Sequence, residues 1–207
     1  MRRSILLAPL IVAMPCMAQQ PENASILILS PTATDPRIEL VDSGLRFWSE
    51  TFRRLGLDPV LVDRHVVVDP VDRRTFENYS RLIWQGAGRA RAGSHDPSPP
   101  QKILDLDADV VVFLSSQGLM PFAWPMSDAR RYFIALANPD ESTMNPANAH
   151  NVVAHEIGHA LGLEHNSVPS SLMCEPCLPL PESVAEGNYL PLVAGDEARL
   201  VELYDSR

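Results

Sequence analysis

The sequence predicts an α/β fold in which helices pack on a sheet. Two runs, Ile26-Leu27-Ile28-Leu29 and Val110-Val111-Val112-Phe113-Leu114, are short and wholly apolar, as strands buried inside a sheet are. Between them, apolar residues recur at alternating spacings of three and four, the period of one helix face. Strand, helix, strand, further strands and then a second long helix is the order of an α/β chain.

Taken in order, the chain opens on Met1-Arg2-Arg3-Ser4, an apolar stretch over residues 5–14, and the small-x-small site Cys16-Met17-Ala18. That is the pattern of a secretory signal, so residues 1–18 are assigned to a signal peptide and 19–207 to one domain. The apolar stretch falls well short of the roughly 20 residues a membrane-spanning helix needs, and no later segment approaches that length, so no membrane span is expected. Met14 and Pro15 disfavour Cys16 as a lipid-attachment site.

After the first strand, Asp35 and Pro36 read as helix cap and first helical residue. Ile38, Val41, Leu45, Trp48, Phe52 and Leu55 then form one apolar stripe, which Gly56 ends. Residues 60–62 and 66–68 are strand-like, residues 71–85 carry a weaker helical pattern around Phe76, Tyr79, Leu82 and Ile83, and residues 86–100 read as a surface loop. Residues 118–125 hold Phe122 and Trp124 between prolines, which confine that strand to a sheet edge, and residues 132–137 form another strand. Asn145-Pro146 marks the start of the second long helix, with Val152, Val153, Ala160 and Leu161 on its buried side.

The formal net charge is −9, and it becomes more negative when Arg2 and Arg3 leave with the signal peptide. An acidic surface disfavours nucleic acid and anionic membranes, so neither is expected as a partner. Of the three cysteines, Cys16 belongs to the leader, which leaves Cys174 and Cys177 to pair with each other in an oxidising compartment.

The chemistry is concentrated in His155-Glu156-Ile157-Gly158-His159-Ala160-Leu161-Gly162-Leu163-Glu164-His165, which fits H-E-x-x-H-x-x-G-x-x-H at every fixed position. Residues four apart on a helix project from one face, about 6 Å apart along the axis, so His155 and His159 suit one metal ion. Gly162 lets the chain leave the helix through a positive φ, and that turn brings His165 back to the same ion. Three neutral imidazoles leave one position of a tetrahedral zinc open, which distinguishes catalytic sites from closed structural ones. Glu156, beside the first ligand, is then the general base toward the attacking water and afterwards the acid toward the departing amine. The short H-E-x-x-H arises by chance on surface helices; the glycine and the third histidine each make such a match rarer by about an order of magnitude. His65, His95 and His150 are scattered and are read as non-ligands.

At these residues the chain resembles the metzincin metallopeptidases, and the run His165-Asn166-Ser167-Val168-Pro169-Ser170-Ser171-Leu172-Met173 is most similar to the matrixin branch. The resemblance implies a zincin catalytic domain: a twisted, mostly parallel sheet with an antiparallel edge strand, two long helices, and a closing C-terminal helix at Asp196, Glu197, Leu200, Leu203 and Tyr204. It implies one catalytic Zn2+ on His155, His159 and His165, with Met173 as the Met-turn residue that forms an apolar floor. It also implies an edge strand near Leu119, Phe122 and Trp124, to which an extended substrate adds as a further strand. Cys174-Glu175-Pro176-Cys177 falls in the stretch that forms one wall of the specificity pocket in such enzymes. A disulfide there stiffens the wall locally, since closing so short a loop contributes only about 2 kcal/mol.

The chain departs from the family pattern in places. Glu175 stands two residues after Met173, where astacin-like and serralysin-like members carry a metal-binding Tyr, so no fifth ligand is expected. No His/Asp-rich loop of the kind that holds structural zinc and calcium is found. Residues 69–108 form a longer connection than matrixins need, read as an extra helix over one sheet face. The implied activity is that of a secreted or periplasmic zinc endopeptidase, acting as a monomer on extended polypeptide. Two other readings stand beside it: a zinc-carrying binding module without turnover, against which the intact Glu156 argues, and an amidase acting on cell-wall peptides.

Overall fold

The computed structural model describes residues 23–58, 60–90, 97–126, 131–138, 148–177 and 189–205. The signal-peptide segment, His95 and the Asn145-Pro146 helix start lie outside the described residues. The two apolar runs form the centre of the sheet. β1 (Asn23–Ser30) pairs in parallel with β2 (Val60–Val67) on one side and with β3 (Val110–Leu114) on the other. β3 pairs in parallel with β5 (Tyr132–Leu136), and β4 (Phe122–Pro125) runs antiparallel to β5 at the end of the order β2-β1-β3-β5-β4.

Successive strand residues face opposite sides of a sheet, so the central strands divide their apolar side chains between two cores. Ile26, Ile28, Val110, Val112 and Leu114 face one layer; Leu27, Leu29, Val111 and Phe113 face the other. α1 (Arg37–Arg54) covers the first face, burying Val41, Leu45, Trp48 and Phe52, with Ile38 and Leu55 partly buried beside them. Asp35 fixes its start by accepting the Arg37 main-chain N–H at 3.0 Å, and Gly56 leaves it at φ +73°. The Arg37 guanidinium pairs with the Asp35 carboxylate at 2.7 Å and also reaches the carbonyls of Ser115 and Ala137, tying α1 to the residues that leave β3 and β5.

The long connection supplies α2 (Pro70–Ala90) and the single turn α3 (Gln101–Leu104). α2 lies on the second face, where Phe76 and Tyr79 meet Phe113 and Phe133 edge to face. Asp69 starts it, its Oδ1 accepting the N–H groups of Val71 at 2.7 Å and Asp72 at 3.1 Å. The helix reaches Ala90, so residues 86–90, expected in a loop, are helical. A glycine costs a helix only about 1 kcal/mol, too little to end one already anchored on the sheet. The two strand-like stretches around Asp63-Arg64-His65 are one strand, paired with β1 throughout. Among the described residues no helix is long and apolar enough to cross a membrane.

α4 (Ala149–Ala160) packs on α1, and α5 (Ala194–Tyr204) closes the same face with Leu200 fully buried. Val153, Ala160 and Leu161 are buried as expected, and Ala154 and Ile157 complete that side. Val152, expected on it, is only partly buried and faces a cleft. The two long helices implied by the family resemblance are therefore α1 and α4, and α2 is an addition.

Candidate active site

α4 points its core side at α1, where the Trp48 indole donates to the Ala154 carbonyl at 2.9 Å; His155 and His159 therefore emerge toward the cleft. The helix stops at Leu161, Gly162 turns the chain at φ +90°, and His165 returns to the other two. Every pair among the three Nε2 atoms is 3.1 Å apart. His155 Nδ1 donates to the Leu172 carbonyl at 2.7 Å, His159 Nδ1 to the Leu163 carbonyl at 2.9 Å, and His165 Nδ1 to the Glu175 carboxylate at 2.6 Å. Those oxygens only accept, so each proton sits on Nδ1 and each Nε2 lone pair is left for an ion.

This donor set fits zinc. A tetrahedral ion about 2.05 Å from each imidazole nitrogen separates its ligands by about 3.3 Å, close to the spacing observed. Burial lowers the pKa of His159 to about 4 and shifts that of His155 in the same direction, which keeps both rings in the neutral form that ligates. No other group of three convergent ligand side chains is found among the described residues. His65 instead bonds Ser30 Oγ at 2.6 Å, and His150 lies 3.0 Å from the Asn151 amide.

Met173 is fully buried against α4. Its seat is Gly158, where an added Cβ would stand 2.6 Å from Met173 Sδ and 3.0 Å from Trp48 Cζ2. Gly158 is thus a site residue that the sequence reading passed over; a glycine in mid-helix was the available signal. Glu156 is buried yet lines the cleft, and its carboxylate accepts the Ala123 main-chain N–H from β4. Burial pushes its pKa up to about 8, with that hydrogen bond opposing.

The cleft has a volume of about 800 Å³. Leu119, Phe122, Cys174, Glu175 and Cys177 all line it, with Cys174 and Cys177 joined in a disulfide. Trp124 is not on the cleft; its side chain packs against the core layer under α2. Two exposed apolar side chains not foreseen are there instead, Trp84 from α2 and Met120. Trp84 lies off the buried stripe of its helix, and that was the one hint the sequence held.

Among solved structures, the chain is similar to archaemetzincin from Methanopyrus kandleri, at 14% identity and a TM-score of 0.47, covering 88% of this chain and 96% of that one. No curated protein is significantly similar in sequence. The matrixin family model matches residues 88–204, which hold the three histidines, Met173 and α5 and make up more than half of the chain. The protein therefore belongs to the matrixin family and is a zinc metallopeptidase.

Proposed function

We propose that the protein is a secreted endopeptidase that cleaves extended polypeptide, with Glu156 as general base. The observation that carries this is one cleft in which three Nδ1-anchored imidazoles, the buried Glu156 and the terminal strand β4 meet. His155, His159 and His165 would hold the zinc, which when bound supplies Lewis acidity toward a carbonyl and a water molecule. Glu156 takes a proton from the attacking water and returns it to the leaving amine nitrogen. Burial makes it a stronger base than an exposed carboxylate, and a nearby cation favours its ionised form. Among the described residues β4 is paired on one edge only, which leaves outer main-chain groups for an extended chain laid along the cleft. Ala123 N–H is already engaged by Glu156, which couples that strand to the base. The Cys174–Cys177 disulfide supports an oxidising compartment.

The test is hydrolysis of unfolded casein or a peptide library by the purified protein, abolished by chelator and restored by zinc. Glu156→Gln should lower the rate by about two to four orders of magnitude while zinc still binds. Equal cleavage by that variant refutes the role given to Glu156. Stoichiometric zinc with no turnover on any peptide would mark a binding module instead, and turnover confined to cell-wall peptides an amidase.

A further inference from the structure

We propose that Glu175 is a positioning residue for the third ligand, holding the His165 ring by Nδ1 so that Nε2 faces the other two imidazoles. This rests on the reading of the three histidines as the zinc ligands. His155 and His159 belong to α4, and their Nδ1 atoms are bonded to main-chain carbonyls of Leu172 and Leu163. His165 has neither advantage. It lies beyond the helix with its side chain 40% exposed, and the partner the structure gives its Nδ1 is the Glu175 carboxylate at 2.6 Å.

The backbone brings Glu175 to this place. Asn166 N–H donates to the Met173 carbonyl at 2.7 Å, and Glu175 N–H donates to the Asn166 carbonyl at 2.8 Å, so the residue after His165 is laced on both sides to the Met173–Glu175 strip. The Asn166 amide is itself held by Asp196 at 3.0 Å. Glu175 then sits inside the short loop that the Cys174–Cys177 disulfide closes.

A hydrogen bond this exposed contributes little to folding, so stability does not account for it. A carboxylate on Nδ1 does three things for a metal ligand: it fixes the tautomer, it stops the ring from turning, and it makes Nε2 a stronger donor. A carbonyl does the first two; the charge of Glu175 adds the third at the ligand whose position the fold secures least.

Zinc affinity should be measured by competition with a fluorescent chelator for the wild type, Glu175→Ala, Glu175→Gln and Glu164→Gln. The Nδ1 protons of the zinc-loaded forms should be followed by NMR. Glu175→Ala is expected to bind zinc about 10- to 100-fold more weakly and to expose the His165 Nδ1 proton to solvent exchange, leaving the His155 and His159 signals in place. Glu175→Gln, which keeps an acceptor without its charge and preserves the wall, should fall between. Glu164→Gln removes an equal charge from the residue beside His165 and should stay within twofold of the wild type. Wild-type affinity in Glu175→Ala, an unchanged His165 Nδ1 proton, or an equal loss in Glu164→Gln would each overturn the proposal. A wild-type protein that takes up no zinc would overturn the metal reading itself, and this inference with it.

Discussion

Adding one methyl group at Gly158 tests whether the floor of the site is built as described. In a helix interior, replacing glycine by alanine gains about 1 kcal/mol where space allows. At Gly158 it does not: the new Cβ would lie 2.6 Å from Met173 Sδ, 3.1 Å from Met173 Cε and 3.0 Å from Trp48 Cζ2. Met173 and Trp48 are both fully buried, and the indole is pinned by its bond to Ala154, so neither has room to retreat. Overpacking of this kind costs about 1–3 kcal/mol, which outweighs the propensity gain. Gly158→Ala should therefore lose on the order of 1–2 kcal/mol in zinc-free urea unfolding, a fall in Tm of about 2–4 °C per kcal/mol. Two further glycines calibrate the result. Among the described residues Gly86 has nothing within 4 Å of its added Cβ, so Gly86→Ala should stabilise; Gly44→Ala meets the flexible tip of Ile157 at 3.1 Å and should lie near zero. A Gly158→Ala protein as stable as Gly86→Ala would refute the packing argument.

Three other outcomes follow from the site. In zinc-free protein, burial holds the Glu156 pKa at about 8, above its ordinary value near 4.5, so between those pH values the folded state keeps a proton that the unfolded chain releases. The stabilisation is complete below pH 4.5 and lost as pH rises through 8, on the order of 3–5 kcal/mol in all, so from pH 5 to 9 the wild type should lose more stability in urea unfolding than Glu156→Gln does, by about that amount. His159 shifts the other way: buried to a pKa of about 4, it stays neutral when folded while an unfolded histidine protonates near 6.5. Stability without zinc should thus fall as pH drops from about 6.5 to 4, and zinc release, followed with a colorimetric chelator, should be steeper than a one-proton curve; a one-proton curve would speak against several imidazoles sharing the ion. Trp84→Ala should raise KM for peptides with large apolar side chains by about 10-fold, with kcat on short peptides unchanged, because it removes apolar cleft surface and touches no ligand.

What was legible in the sequence was local. The H-E-x-x-H spacing, the positive φ of Gly162 and the apolar runs of β1 and β3 each depend on neighbours within a turn or a strand, so their patterns survive in the linear order. The polar Asp63-Arg64-His65 seemed to divide two strands, yet β2 is an edge strand, where exposed polar residues are tolerated and even favoured. The seat of Met173 on Gly158 joins residues 15 positions apart in the chain, and no period in the sequence marks such a pair. In the sequence, Glu175 marks only the absence of a fifth ligand. Its partnership with His165 arises only once the two hydrogen bonds of Asn166 set the strips side by side. The prolines around Trp124 and the family resemblance indicate a sheet edge that can pair with substrate, and neither indicates the face its side chain takes.

The long connection between β2 and β3 bears on the site through its face, not through any ligand. Glu77 and Trp84 are seven residues apart on α2 and so share a side of that helix. Glu77 accepts from the Ser116 N–H at 2.6 Å and Ser116 Oγ at 2.7 Å, and also from Ser115 Oγ and Gln117 Nε2. Burial raises the Glu77 pKa, but these bonds together outweigh it and hold the carboxyl below its ordinary range. The segment so clamped leads directly into Gly118, Leu119 and Met120 at the rim of the cleft, and Trp84 stands at the same cleft two turns along the helix. α2 is anchored on the sheet by Phe76, Tyr79 and Ile83, so loop and indole are referred to one rigid element. A substrate laid along β4 would therefore meet, on that side, a wall formed by Trp84 and by residues 118–120, both referred to α2. On the proposed function, its side-chain preference would then depend on this chain's own connection, while the zinc chemistry depends on the motif.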